Sequence, residues 1–339
     1  MYFVFEMLRY IILVFVFCLG ISCSNEESYM NVFEGKAQGT SFHITLYYNQ
    51  DFSGDQINQN DIERWLSHYN RVASPWDPNS EISKLNMGDS VFLSSELFEL
   101  CHLSHKMKIS TDGVLDPTLG DLINGWGFGV SEGFLEYTDT VKVDSLMKYV
   151  GDESWIPFQI SNWAWPQNVK LNFMSLSQGH SVDIIIDSLK SKGVDAAFVE
   201  VGGEIRTFGT KPNEDVFTVG IERPLLENSG EFQVIIPIKN QALATSGNYR
   251  NYKFDISTGG KYGHTISSFT GWPIETDIIS ATIIGPTCAE ADAMATASMA
   301  MGFGETRSWL AKHPKWNAYI LFKDENGSLN EWTTLNNLN

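Results

Sequence analysis

Asp292 and Thr296 stand four residues apart in Cys288 to Met301, a run of small residues that reads as a helix, so a carboxylate and a hydroxyl share one face. Oxygen donors of this kind suit a hard cation that keeps waters and substrate phosphate in its shell, as Mg²⁺ does. Taken alone the pair has a structural explanation too, since an Asp near a helix N-terminus is favoured by the dipole. The segment Ala244-Thr245-Ser246-Gly247 offers backbone N–H groups and two hydroxyls, and read as a tight turn it would cradle phosphate oxygens. His102 and His105 are i and i+3 on a predicted helix and could begin a zinc site, but no further ligands follow at zinc spacing. Neither a G-x-G-x-x-G fingerprint nor a Walker A loop is present.

Elements of both kinds must hold these groups. Thr40 to Tyr48 alternates polar and apolar residues, which predicts a half-buried strand opening the fold. Asn60 to Ala73 places Ile62, Trp65, Leu66, Tyr69 and Val72 on one helical stripe. Ser94 or Ser95 can cap a second helix running to Lys108. Val182 to Lys192 reads as a helix ended by Gly193, and Thr306 to His313 as a further one. Strand-like runs occupy Ala196 to Val201, Ile205 to Phe208, Val216 to Glu222, Phe232 to Ile238, Ile278 to Ile284 and Ala318 to Phe322. The mixture lacks a regular β-α-β rhythm, so the fold class is α+β, with a mixed or antiparallel sheet and packed helices.

The 339 residues carry a formal net charge of −18, which argues against nucleic acid as a partner. Hydrophobic residues make up 43% and charged residues 19%, a balance that supports a sizeable core rather than a disordered acidic chain. No linker or repeat divides the sequence after Glu34, so one domain, two-lobed at most, is the simplest reading. Ahead of it, the apolar run Tyr10 to Gly20 follows Arg9 and reads as an export signal over residues 1–22. Cys23, followed by polar Ser24 to Ser28, is placed as the lipidated Cys of a bacterial lipoprotein, with residues 23–33 as a tether and 34–339 as the folded domain. An uncleaved anchor helix or a soluble secreted form are the other readings of the leader. Cys101 and Cys288 then remain, with no C-x-x-C spacing, and are read as buried thiols.

Several segments in one order carry a resemblance. They are Gly39-Thr40 before the strand, D-P-N-S-E-I-S-K-L-N at Asp77 to Asn86, and T-D-G-V-L-D-P-T at Thr111 to Thr118. Further on come W-G-F at Trp126, G-G-E-I-R at Gly202, A-T-S-G at Ala244 and A-D-A-M-A-T at Ala291. From Gly35 to Phe322 the chain resembles the ApbE family, the FAD:protein FMN transferases. The resemblance implies an exported, Mg²⁺-dependent enzyme that splits the pyrophosphate of FAD. It would join FMN to a Thr or Ser hydroxyl of an acceptor protein, expected to be a membrane redox subunit, and release AMP.

Residue by residue, the resemblance gives the metal to Asp292, Thr296 and the backbone carbonyl of Ser177. It gives the phosphates to Ala244, Thr245, Ser246 and Gly247, the adenosine half to Glu204, and the flavin to Asp116, Thr118, Asp183 and the ring of Trp76. His264 matches the family's H-x-x-D-P-x-T-G-x-P motif and receives a role in proton transfer or phosphate orientation. Two departures accompany the match: Ser267-Ser268 where the family has Asp-Pro, and Gln178 where it has Lys. Gln38 also stands where many members have Met. Losing a carboxylate beside His264 and a cation beside the pyrophosphate would each slow the reaction, single electrostatic groups being worth about 10²–10³-fold. The alternatives are therefore an FAD-binding lipoprotein without transfer, or Mg²⁺-dependent hydrolysis of FAD to FMN and AMP.

Overall fold

The computed structural model describes residues 29–49, 52–89, 92–156, 168–222, 232–247, 252–254 and 259–335. The export signal and Cys23 lie outside the described residues.

The chain begins with a hairpin of β1 (Tyr29–Ala37) and β2 (Thr40–Tyr48). Gln38 and Gly39 both have positive φ, +53° and +77°, which is the two-residue turn whose twist matches the flanking strands. The strand predicted to open the fold is thus the second one, and β1 takes residues 29–33 from the expected tether. Along β2 every second side chain, Phe42, Ile44, Leu46 and Tyr48, is buried, as its alternation predicts.

Three helices follow: α1 (Gln59–Ala73), α2 (Glu81–Met87) and α3 (Ser95–Ser110). Each starts at a polar cap. Asn58 and Asp61 form a reciprocal capping box, while Ser80 and Ser94 each accept the N–H three residues on. Two short helices, α4 (Gly120–Gly125) and α5 (Thr140–Met147), build a satellite cluster around Trp126. The next helix, α6 (Ser177–Ser191), starts five residues earlier than the periodicity suggests, because its first turn is Ser, Gln, Gly, His and Ser rather than apolar.

After it come β3 (Ala196–Val201) and β4 (Glu204–Phe208), joined through Gly202-Gly203, both at positive φ. Next are β5 (Phe217–Glu222), β6 (Phe232–Ile238), β7 (Ala242–Gly247), β8 (Tyr252–Phe254), β9 (Lys261–Gly263) and β10 (Ile278–Gly285). The last elements are α7 (Cys288–Lys312), β11 (Asn317–Lys323) and β12 (Leu329–Thr333). The two separate late helices of the sequence reading are one element with a kink at Gly302, φ +75°. Asp277 accepts the Phe303 N–H there at 2.9 Å.

Among the described residues eight strands form one antiparallel sheet in the order β1-β2-β3-β4-β7-β10-β11-β12. Helices cover one face. There Ile44, Leu46 and Val199 meet Ile185, Ile186 and Leu189 of α6, and Ile283 and Ile320 meet the core around α3 and α7. The β5–β6 ribbon covers part of the other face, packing Val219 and Ile236 against Leu243, Ile284 and Leu321. Burying the central strands on both faces explains why β10 is an almost unbroken apolar run. Cys101 and Cys288 are buried free thiols, as expected.

Candidate active site

Ala244 to Gly247 is strand rather than tight turn. All four residues pair with β10, Thr245 opposite Thr282 and Ser246 opposite Ala281, whereas β4 pairs β7 only at Ala242 and Leu243. The strand's Thr, Ser and Gly read as turn residues, but long-range pairing decides the conformation. Thr245 Oγ1 lies 2.8 Å from Thr282 Oγ1, and Ser246 Oγ lies 3.3 Å from Thr296 Oγ1 on α7.

Beside this stretch of β7 lies a cavity of about 680 Å³. Its polar wall comes from α6, β4, β7 and α7: Gln178, Glu204, Thr245, Ser246, Asp292 and Thr296. Its apolar wall comes from the segment 114–128, with Val114, Leu115, Leu119, Ile123 and Phe128. Trp76, 58% exposed, and Met174 also line it. A cavity of this size, with an apolar wall beside convergent polar groups, is the expected form of a small-molecule site.

The buried carboxylates carry the electrostatics. Asp292 accepts the Gly179 N–H at 3.1 Å. Burial, reinforced by the charge of Asp183, pushes its carboxyl up to about 8 against that hydrogen bond. Glu204 is raised well above the usual carboxylate range, first by burial and then by the charge of Asp292. Its Oε2 is buried without a hydrogen-bond partner. Two acidic groups held above their ordinary range in one cavity mark a place built for a cation or for proton-bearing ligand groups.

The donor set also bears on the metal the resemblance implies. Among the described residues no group of three or more His, Cys, Asp or Glu could hold an ion. One carboxylate with the Thr296 hydroxyl is instead an oxygen-only set that leaves room for waters and phosphate, which fits Mg²⁺. Ser177 opens α6 but does not line the cavity.

Other expected residues have different roles. Asp183 does not line the cavity. Its two carboxylate oxygens accept the N–H groups of Cys288 and Ala289, each at 2.9 Å, and Arg206 donates to Oδ1 at 2.7 Å. It therefore caps α7. Ala244 is fully buried and likewise does not line it. Asp116 lines the cavity, but its Oδ1 accepts from Thr118 N at 2.9 Å and Thr118 Oγ1 at 2.5 Å, while Lys108 sits 3.1 Å from Oδ2. Thr118 acts through Asp116 and is not a lining residue.

His264 lines the cavity, its ring edge-on to Phe128 with centroids 6.2 Å apart. Ser267 does not. Its hydroxyl oxygen accepts the N–H groups of Phe269 and Thr270 at 3.2 Å, and its carbonyl accepts the Gly271 N–H at 2.8 Å. Ser268 donates to the Gly113 carbonyl at 2.6 Å. The pair closes a turn in this chain. Gln178 does line the cavity. Asn172, Met174 and Lys253 line it too and stand in no sequence pattern that would have marked them.

Comparison with known proteins adds a second line of observation. The ApbE family model matches residues 38–320. The FAD:protein FMN transferase of Vibrio cholerae is 30% identical over 274 residues, covering 79% of this chain and 80% of the relative. The protein of the same name from Buchnera aphidicola subsp. Schizaphis graminum is 26% identical over 327 residues, covering 94% and 93%. Among solved structures, the flavin transferase ApbE from Vibrio cholerae superposes with a TM-score of 0.77 at 26% identity, over 90% of this chain and 97% of that one. The apo flavinyl transferase ApbE of Pseudomonas stutzeri, 24% identical with a TM-score of 0.75 over 91% and 95%, shares the fold.

Proposed function

The chain belongs to the ApbE family, and from that premise we propose that it transfers FMN from FAD to a Thr or Ser hydroxyl of an acceptor protein, releasing AMP. The observation that carries this reading is the cavity, where one apolar wall faces an oxygen-lined wall of Glu204, Ser246, Asp292 and Thr296. The apolar wall suits an isoalloxazine ring, and the exposed ring of Trp76 can stack on it. The oxygen wall suits phosphates only with cationic help, which is why Mg²⁺ belongs to the proposal.

In the reaction the acceptor oxygen forms a bond to the FMN phosphorus while the bond from that phosphorus to the AMP phosphate oxygen breaks. The electron pair leaves with AMP, and the hydroxyl proton must go to a base. Asp292 and Thr296 would hold the metal, which when bound supplies positive charge to the phosphate oxygens. Ser246, beside Thr296, can orient a phosphate oxygen through its hydroxyl. His264 is the cavity residue we assign to take the proton. Glu204, whose carboxyl burial raises well above its usual range, keeps one oxygen without a hydrogen-bond partner at the cavity, which suits the polar edge of the adenosine half.

We further propose that Cys23 is lipidated after removal of residues 1–22, so that the enzyme works as an exported lipoprotein on acceptors in its own membrane, such as a redox subunit. The test of the function is incubation of the mature protein with FAD, Mg²⁺ and an acceptor segment carrying a Ser/Thr-Gly-Ala-Ser/Thr motif. Flavin fluorescence on the denatured acceptor, with equimolar AMP, is the expected outcome. FMN and AMP without labelled acceptor would make the protein a hydrolase of FAD, and bound FAD alone would make it a binder.

A further inference from the structure

Lys253 is the single Lys or Arg among the described residues that line the cavity. The cavity's carboxylates are Asp116, Glu204 and Asp292, and Asp116 is already engaged by Lys108. Lys253 forms no ion pair with any described carboxylate. Its ammonium instead lies over the Phe128 ring, 5.5 Å from the centroid. Gly127 makes room for it: a Cβ at that position would overlap the Lys253 Nζ.

The backbone explains why the amine sits there. In the β8–β9 ribbon Lys253 pairs with Tyr262, so the two side chains share a face. His264 follows directly after the end of β9 and lines the same cavity. The Phe128 ring packs edge-on to both Tyr262, at 5.7 Å, and His264, at 6.2 Å. The ammonium of Lys253 and the imidazole of His264 therefore both rest against the Phe128 ring and both line the cavity.

A half-buried cation with no carboxylate partner among the described residues, in a cavity entered by an anion, is a binding group for that anion. Resting on the flavin-transferase reading above, we infer that Lys253 binds the phosphate that becomes the phosphoester of FMN. There it offsets the negative charge while the acceptor oxygen attacks and AMP departs. Its amine exchanges no proton in the step; the contribution is positive charge in the cavity that His264 also lines. The cation is thus delivered by the ribbon rather than by α6, where Gln178 is neutral.

Flavins that differ only by a phosphate separate this role from packing. Binding of FMN and of riboflavin to the wild type, Lys253→Met and Lys253→Arg is measured by fluorescence quenching in EDTA, with FMN transfer from FAD measured in parallel. Met keeps the stem over Phe128 and removes the charge. The expected result is FMN affinity about tenfold lower in Lys253→Met, the scale of one charge-assisted hydrogen bond. Riboflavin affinity should not change, transfer should fall about 10²-fold, and Lys253→Arg should keep both properties. Unchanged FMN affinity in Lys253→Met, or an equal loss for riboflavin, overturns the assignment whatever the transfer rate does. A wild type that binds neither flavin overturns the functional reading itself, which is a different result from a wild type that prefers FMN and a Met variant that does too.

Discussion

Asp183 and Asp292 are exchanged between two helices: each carboxylate accepts amide hydrogens from the N-terminal turn of the other's helix. Asp183 of α6 takes the Cys288 and Ala289 N–H groups of α7, and Asp292 of α7 takes the Gly179 N–H of α6. The helices approach so closely that a Cβ on Gly179 would overlap the Cys288 carbonyl oxygen. Only Asp292 faces the cavity, so Asp183 sets the position of α7 and hence of Asp292 and Thr296.

Removing Asp183 should be costly for stability. Asp183→Ala leaves Arg206 and two helix-end amides without their partner, and breaking a buried pair by one side costs about 3–5 kcal/mol. Urea unfolding should show a clear drop in midpoint. Asp183→Asn, which keeps one oxygen for the helix end, should lose less, and a midpoint equal to wild type in the Ala variant would contradict the capping role.

Gly179→Ala should act on the site through backbone separation. The new methyl pushes α6 from α7 and moves the amide that Asp292 accepts; overpacking of this kind costs about 1–3 kcal/mol. The sensitive readout is Mn²⁺ affinity by electron paramagnetic resonance, expected to weaken even in folded protein. Undiminished Mn²⁺ binding would show that the Gly179 contact does not position Asp292.

The raised carboxyl of Asp292 predicts a pH dependence with a definite sign. An unfolded Asp loses its proton near pH 4, whereas this one holds it to about pH 8, so the native state binds the extra proton between those values. Metal-free stability should therefore fall as pH rises across that window. Asp292→Asn should flatten this component, melt higher than wild type at pH 8 without metal, and lose Mg²⁺-dependent turnover. Thermal melts from pH 5 to 9 with and without Mg²⁺ check all three, and parallel curves for the two proteins would refute the assignment.

The two departures from the family pattern should prove unequal. Gln178 lines the cavity, so Gln178→Lys adds a cation near Glu204 and Asp292 and should raise transfer more than it changes FAD affinity. Ser267→Asp should be nearly silent, because its oxygen would still accept the Phe269 and Thr270 amides. Ser268→Pro should lose about 1 kcal/mol with the bond to Gly113. A gain in rate from the Ser pair alone would put a carboxylate back beside His264 and contradict the turn-capping role.

Acylation at Cys23 predicts that Cys23→Ser leaves flavin binding intact and moves the protein from the membrane to the soluble fraction. Radioactive palmitate should label the wild type alone; label retained by the variant would refute the proposal.

Local signals were legible and distant ones were not. The α1 stripe of Ile62, Leu66, Tyr69 and Val72 and the Ser94 cap depend on neighbours a few residues away, and both read correctly from sequence. The pairing of Asp292 with Thr296 is equally local, being one helical turn. Asp183 is placed at the flavin site only by resemblance, and its link to the amides of Cys288 and Ala289, more than a hundred residues away, carries no local signal. Ala244 to Gly247 looked like a turn because its small polar residues have turn propensity, and only pairing with β10 extends them. Lys253 carried no signal at all, since its meaning comes from a ribbon register and an aromatic ring on another segment.

The position of β1 bears on where such an enzyme can work. The first described strand starts at Tyr29, six positions after Cys23, and a fully extended chain over those six steps spans about 20 Å. A folded body of this size is about 50 Å across. With Cys23 acylated as proposed, every point of the protein stays within about 70 Å of the lipid surface, and the encounter with an acceptor becomes a search in two dimensions. An acceptor hydroxyl standing close above the bilayer is met over and over by the same tethered molecule, whereas one carried on a tall or freely diffusing protein is rarely in range. Substrate choice would then be set as much by height above the membrane as by the residues around the hydroxyl, and lengthening the chain between Cys23 and Tyr29 should widen it.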